Sequence, residues 1–403
     1  MKHAAASAFL SSLLLACVAA TAQGPPSQEK PALLDPLPGD AGEAGLWYRY
    51  YEGDFQSIVD MAGLKPTTEG TIDSFRFPDG AAEDDFGLEF WGAIDVPADG
   101  EYTFYTTSDD GSRLYIGGTL VVMNDYPHGA TEKSGTISLK EGRHPIYVAY
   151  FEGVVDNVLE VAWEGPGIEK GPVPAKALSQ AEKVVSFPDD AVSTEQLEWP
   201  DIGASLAVTV DTRDAPELRA MHTEIPRILQ DHYPLLVSVL GIEGMPLPKS
   251  IVYAVRRSIG APAYSTGGRI VLEAEWFTKH PGDLGCIVHE TSHNVQAYPG
   301  SRNTPGWLVE GIADYVRYKA GVDDGWSIPS KYREGTSYKN GYGVTTAFLV
   351  YVERHYDDKL VTKLSRALKT AQYTPELWTE YTGKSVDDLW EEYKSRSGED
   401  AAE

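Results

Sequence analysis

Between Leu46 and Leu178 apolar and polar residues alternate in short runs, with glycine-containing turns between them. The runs Leu46–Tyr51, Gly87–Val96, Tyr102–Thr107, Arg113–Ile116, Leu120–Met123, Gly135–Leu139, Pro145–Phe151 and Val158–Trp163 read as strands. Short strands spaced in this way predict an antiparallel β-sandwich or barrel. From about Asp201 the texture changes. Leu206–Val210, Ile251–Val255 and Ile270–Ala274 read as strands, Pro216–Leu240 as a long helix bent near Pro226 or Pro234, and the chain after Asp283 as mostly helical. Ser385 and Asp388 open a last helix in a capping-box-like arrangement. The expected fold is multidomain: an N-terminal antiparallel β-sandwich followed by an α+β domain.

Composition changes this picture in three ways. The 403 residues suffice for two or three domains. The net charge of −26 argues against nucleic acid and anionic membranes, both of which need a basic footprint. Lys2 and His3 precede an apolar run from Ala8 to Ala20 and the small residues Ala20-Thr21-Ala22, the pattern of an export signal. No other stretch approaches the length of a membrane span. A lipoprotein box ending at Cys17 is the second reading, with Leu15 a poor fit. Removal of residues 1–22 would leave Cys286 as the single cysteine, so core packing, without an intrachain disulfide, holds the exported chain together. The expected division is a signal at 1–22, a flexible leader at 23–44, the sandwich at 45–178, a linker at 179–200, the α+β domain at 201–396 and a disordered tail at 397–403.

The α+β half carries the chemistry. His289-Glu290-Thr291-Ser292-His293 places two imidazoles one helical turn apart, where they can share a zinc ion. Glu290, one step round the helix, can meet a metal-bound water as a base. A separate stripe of Leu284, Ile287, Val288, Thr291 and Val295 is left for the core. Cys286, three residues before His289, reads as a buried small residue rather than a ligand. Thr304-Pro305 starts a second helix, with Leu308, Ile312, Tyr315 and Lys319 as its core stripe and Glu310 and Asp314 on another face. A catalytic zinc takes three protein ligands and keeps one position open, so Glu310 is the expected third ligand. Asp314 would accept the ring N–H of a histidine ligand and fix its tautomer. The positions three and six beyond His293 are Gln296 and Pro299, which excludes the metzincin pattern. The arrangement is gluzincin-like.

HETSHNVQ (289–296), WLVEGIADYVRYKAG (307–321), NGYGVTTAFLVYVE (340–353), GKSVDDLWEEYK (383–394) and VTVDTRDAPEL (208–218) together resemble the plant basic-secretory-protein family of zinc peptidases. The resemblance spans about Ser205 to Ser395. It implies His289, His293 and Glu310 as zinc ligands and Glu290 as catalytic base. It makes Tyr342, in the turn Gly341-Tyr342-Gly343, a candidate oxyanion donor, an ordinary loop tyrosine being the other reading. The family's basic charge does not carry over to this acidic chain.

In the first half, SDDGSRLYI (108–116), Leu120–Asp125 and Tyr150–Trp163 resemble the protective-antigen (PA-fourteen) domain, a β-sandwich often used for carbohydrate binding. The resemblance implies that Asp109 and Asp110 chelate calcium that holds a sugar, with Asp156 and Asn157 in the loop for the later ligands. Asp-Asp-Gly is also a good turn sequence without metal. The combined expectation is an exported zinc metallopeptidase that cuts protein or peptide substrates and docks on glycan. The substrate strand would pair with a sheet edge near Gly268–Glu275. The alternatives are a non-catalytic glycan-binding adhesin with a degenerate peptidase module, or a hydrolase of a non-peptide bond.

Overall fold

The computed structural model describes residues 32–40, 42–187, 189–300 and 304–396. The expected export signal, Cys17 and the tail at 397–403 lie outside the described residues. The first half runs through β1 (Leu46–Glu52), β2 (Thr68–Ile72), β3 (Phe86–Val96), β4 (Gly100–Asp109), β5 (Ser112–Ile116), β6 (Thr119–Asn124), β7 (Thr131–Leu139), β8 (Gly142–Glu152), β9 (Val158–Gly165), β10 (Ile168–Pro172) and β11 (Leu178–Ser179). One sheet has the order β2-β1-β3-β8-β5-β6, with β11 on β3, and a second has β10-β9-β4-β7. All of these pairs are antiparallel.

Leu88, Phe90, Tyr102, Phe104, Leu114 and Val148 are fully buried between the two sheets. Along β4 every second residue is buried, as the pleat requires of a strand with one wet face. β8 is buried along almost its whole length because its outer face is covered too. There Tyr147, Ala149 and Phe151 pack with Phe55, Ile58, Met61 and Val185. Lys183 lies over the rings of Trp91 and Tyr147 and pairs with Glu89 at 2.6 Å.

The second half opens with β12 (Val192–Trp199) and β13 (Ala204–Asp211), then α1 (Met221–Leu240), β14 (Ser250–Arg256), β15 (Ala263–Thr266), β16 (Arg269–Glu273) and α2 (Ala274–Lys279). The helices α3 (Gly285–Gln296), α4 (Gly306–Ala320), α5 (Tyr342–His355), α6 (Leu360–Lys369), α7 (Glu376–Thr382) and α8 (Val386–Arg396) follow. The sheet order is β12-β13-β14-β16-β15, parallel at β13–β14 and β14–β16 and antiparallel at both ends. Pro226 and Pro234 both lie inside α1. Gly311 on α4 meets α5 so closely that a Cβ there would come within 2.2 Å of Thr345. At the start of α8 the Asp388 N–H donates to the Ser385 hydroxyl, as its sequence suggested.

Several boundaries differ from expectation. The leader is ordered where it is described: the Leu34 N–H donates to Ser138, Leu37 to Arg143, and Lys140 donates back to Leu34. The segment 179–200, expected as a linker, holds β12, which pairs with β13 along eight positions. Its pattern reads as a loop because an edge strand wet on one face keeps mostly polar residues. Helix α4 begins at Gly306, with Pro305 where Thr304 was expected, and the Thr304 hydroxyl donates to the Pro299 carbonyl. Lys319 is exposed rather than part of the α4 core stripe, which continues through Val316. The sheet edge is β15, which covers β16 and so displaces the edge expected at Gly268–Glu275. The cause is the Gly267-Gly268 turn, where both residues have positive φ, 53° and 85°, and close a two-residue hairpin.

The two halves are joined by a buried ion network. Arg113 on β5 pairs with Asp125 at 2.5 Å and with Asp214 of the second half at 2.5 Å. Asp60 in the first half receives Arg256 and Arg269, each at 3.0 Å. Asp211 pairs with Arg213 at 2.9 Å and with Arg256 at 2.6 Å. The Tyr126 hydroxyl donates to the Arg257 carbonyl at 2.5 Å. Burial alone would raise the Asp60 and Asp214 carboxyls, but the facing guanidiniums outweigh it and hold both below the ordinary 3.8.

Replacing Arg113 by Met should leave Asp125 and Asp214 buried without their partner, at a cost of about 3–5 kcal/mol read as a lower urea midpoint. A loss below about 1 kcal/mol would place this pair in the class of exposed ion pairs. Because Asp60 and Asp214 are depressed, their contribution is present above pH 3.8 and is lost as the pH falls through their folded values.

Candidate metal centre and acidic cluster

Helix α3 turns Ile287, Val288, Thr291 and Val295 into the core, with the Tyr253 and Thr291 hydroxyls 2.8 Å apart. That orientation leaves His289, Glu290 and His293 facing a cleft of about 1090 Å³, also lined by Glu310, Asp314 and Tyr342. The His289 and His293 Nε2 atoms are 3.2 Å apart. Glu310 Oε2 lies 3.3 Å from the first and 3.5 Å from the second. Three donor atoms thus converge on one point, as a small cation needs.

Each imidazole is held from behind. His289 Nδ1 is 2.6 Å from Asp314 Oδ1. His293 Nδ1 is 2.9 Å from Gln296 Oε1, whose amide donates to the Val309 carbonyl at 3.0 Å. With both Nδ1 positions engaged, both Nε2 atoms turn to the cleft. Asp314 thus holds the His289 ring from behind and stands outside the group of three converging donor atoms. Gln296 was not assigned a role from the sequence, although its place three residues after His293 puts it on the same helix face.

Burial disfavours a charge on His289, but the Asp314 and Glu310 carboxylates outweigh it and raise the imidazole to about 10. Burial likewise works against a charged Glu310, and the two histidines overcome it and lower the carboxyl to about 2. Burial pushes Glu290 up, toward the range useful to a proton acceptor. Burial also raises the Tyr342 phenol, so it keeps its proton as a donor. Its ring stacks on His289 at 6.0 Å and 17°. Cys286 is buried, its thiol is pushed up by burial, and among the described residues it belongs to no metal-ligating group.

A second group forms at the ends of β4 and β8: Asp109, Asp110 and Glu152. Asp109 accepts the Ala130 N–H, and Asp110 accepts those of His128 and Gly153. Glu152 is fully buried; one oxygen takes the Tyr150 hydroxyl at 2.9 Å and the other, Oε1, has no protein partner. Asp109 and Asp110 thus make turn hydrogen bonds and still converge with a third carboxylate. That third group is Glu152, not Asp156 or Asn157. The last two stand exposed in the loop after β8, and Asp156 joins no such group among the described residues.

Burial raises the Glu152 carboxyl from 4.5 to about 7. A raised carboxyl contributes stability that is full below pH 4.5 and is lost as pH rises through its folded value. In metal-free protein, the stability difference between wild type and Glu152→Gln should therefore change between pH 4.5 and about 7. Urea midpoints across that window that differ by a constant amount would contradict the assignment.

Comparison with known proteins divides the chain in the same way. A family described as a peptidase of plants and bacteria matches residues 216–393, and the PA14 domain matches residues 42–177. The anti-sigma-I factor RsgI3 of Acetivibrio thermocellus is 29% identical over 141 residues, 34% of this chain and 21% of its own length. The chain thus spans about a fifth of that curated relative. Among solved structures, an anti-sigma factor domain-containing protein is 30% identical, with a TM-score of 0.30, over 36% of this chain and 50% of its own. A PA14 sugar-binding domain from an RTX adhesin is 16% identical, with a TM-score of 0.30, over 35% of this chain and 100% of its own. Among the described residues no helix is long and apolar enough to cross a membrane. The chain carries a PA14 domain over residues 42–177, followed by a domain of the plant and bacterial peptidase family over residues 216–393.

Proposed function

We propose that this protein is an exported zinc metallopeptidase whose PA14 domain docks it on glycans. The observation that carries the reading is the convergence of His289 Nε2, His293 Nε2 and Glu310 Oε2 beside Glu290, with Asp314 and Gln296 fixing both rings. Two imidazoles and one carboxylate oxygen are a donor set that suits zinc and leaves one position open. Zinc bound there would polarise the scissile carbonyl and acidify a water.

The rest of the work belongs to the side chains. Glu290 takes the proton of the attacking water and passes it to the leaving nitrogen. The protonated Tyr342 phenol donates to the oxygen that gains charge. Asp314 and Gln296 keep the imidazoles from turning. The edge strand β15 is tied to α3 by the Asn294 amide, which donates to Ser265 at 2.7 Å, so an extended substrate can add to the sheet alongside the centre.

In the PA14 domain, the buried and unpartnered Oε1 of Glu152 beside Asp109 and Asp110 supports a calcium ion that would hold the sugar. Glu290 is what favours the enzyme over a binding-only module, since a purely adhesive protein has no use for a buried base there.

Three variants separate the roles. Glu290→Gln should keep zinc and lose about 10²–10⁴-fold in turnover. Glu310→Ala should lower zinc affinity and recover part of its activity in excess metal. Asp314→Ala should cost about 10–100-fold in affinity or activity. Zinc titrations and peptide cleavage measured in parallel check this. Loss of zinc from Glu290→Gln with retention in Glu310→Ala would reverse the two assignments.

For the PA14 domain, the full chain on a glycan array should bind in calcium and release in chelator. An array blank under both conditions removes the docking role.

A further inference from the structure

The cleft continues past the metal centre toward the amino end of α3, into a recess that the reaction itself does not use. Cys286, one turn before His289 on α3, lines it. Trp276 and Trp326 line it, and Asp283, Arg317 and Asp324 form its floor. This group is bonded through Arg317 Nη2, while Arg317 Nε is buried without a partner. Arg317 Nη2 donates to Asp283 at 2.5 Å and to Asp324 at 2.8 Å, and its guanidinium lies 4.6 Å over the Trp326 ring. Asp324 also accepts the N–H groups of Gly285 and Trp326, at 3.0 and 2.8 Å, and is sealed from solvent. Asp283 accepts the Trp276 indole N–H at 2.9 Å and keeps 15% of its side chain exposed. A carboxylate has about four acceptor positions, so Asp283 retains capacity after these two bonds.

Charge then decides what the recess accepts. The cleft is lined by Asp283, Glu290, Glu310, Asp314 and Asp324, against Arg317 alone among guanidinium and ammonium groups. Even a bound divalent ion leaves that balance negative. An acidic side chain would meet repulsion from Asp283. A purely apolar one would cover Asp283 without satisfying it. A long stem with a cationic head fits, because Asp283 accepts its N–H bonds; Arg317 already covers a face of Trp326, and His280 stacks on Trp276 at 4.1 Å.

We propose that this recess is a specificity subsite that takes a lysine or arginine side chain of the substrate next to the scissile bond, with Asp283 receiving the charged head. The proposal rests on the peptidase reading above. Asp283 selects the substrate, and Trp276 holds Asp283 in place.

The test uses the full zinc-loaded chain and a peptide series that differs only beside the scissile bond, with lysine, arginine, norleucine or glutamate on each side in turn. Norleucine keeps the lysine stem and removes the charge. On one side of the bond, kcat/KM for lysine and arginine should exceed that for norleucine by at least about tenfold, the worth of one charge-assisted hydrogen bond, with glutamate lowest. Asp283→Asn should bring kcat/KM for lysine and arginine down to that for norleucine, a loss of at least about tenfold on the basic peptides. The wild-type series stands alone if that variant does not fold. Norleucine or glutamate cut as well as lysine overturns the subsite and leaves the peptidase reading standing. A zinc-loaded enzyme that cuts no member of the series overturns both.

Discussion

The hydrogen bond between His289 and Asp314 is the contact on which the second half turns. It joins two helices that the chain separates by a loop, and it decides which nitrogen of His289 faces the cleft. It forms only if α3 and α4 lie side by side with one rotation each, and the core stripe of α3 enforces that rotation on its side. On the other side, the missing side chain at Gly311 lets α5 close on α4, and the Thr346 hydroxyl bonds the Gly311 carbonyl at 3.0 Å. That close approach brings the turn at Gly341 against Glu310, 3.5 Å from a Cβ built there, and so delivers Tyr342 to the centre. The position of one imidazole is therefore set by packing that extends across three helices.

The same interdependence explains the charges around the centre. A buried imidazole would ordinarily be neutral, and a buried carboxylate would ordinarily take up a proton. Here His289 and Glu310 each stabilise the charged form of the other, with Asp314 adding to the effect. The metal-free centre is thus closed on itself by an ion pair. A cation held there, as the proposed function requires, would have to expel the imidazole proton, so its affinity would be coupled to proton release.

What could be read from the sequence follows from distance along the chain. His289, Glu290 and His293 lie within one turn, and Glu310 and Asp314 within another, so helical spacing alone brought them to common faces. The strands of the PA14 half were legible because their alternation is local. The interface network was not. Arg113 and Asp214 are 101 residues apart, and Asp60 and Arg256 196 apart. Each resembles an ordinary surface charge until the fold places it opposite its partner. Glu152 was missed for the same reason: it ends a strand 42 residues after Asp110 and carries no local motif. The edge strand β15 was missed for a different reason. Its hairpin depends on two glycines with positive φ, a signal present in the sequence as Gly267-Gly268 and not used.

The buried seam between the halves gives the protein the character of a caliper. A flexible tether would let the PA14 domain raise the local concentration of substrate over a broad zone. A seam of paired, sealed charges, with Tyr126 bonded across it, fixes the offset between the Asp109–Asp110–Glu152 cluster and the cleft at His289, His293 and Glu310. On the proposed function, a ligand held at the first point would meet the second at one set span and one set angle. Selectivity would then come from the architecture of the target, from how far a cleaved bond stands from the held group.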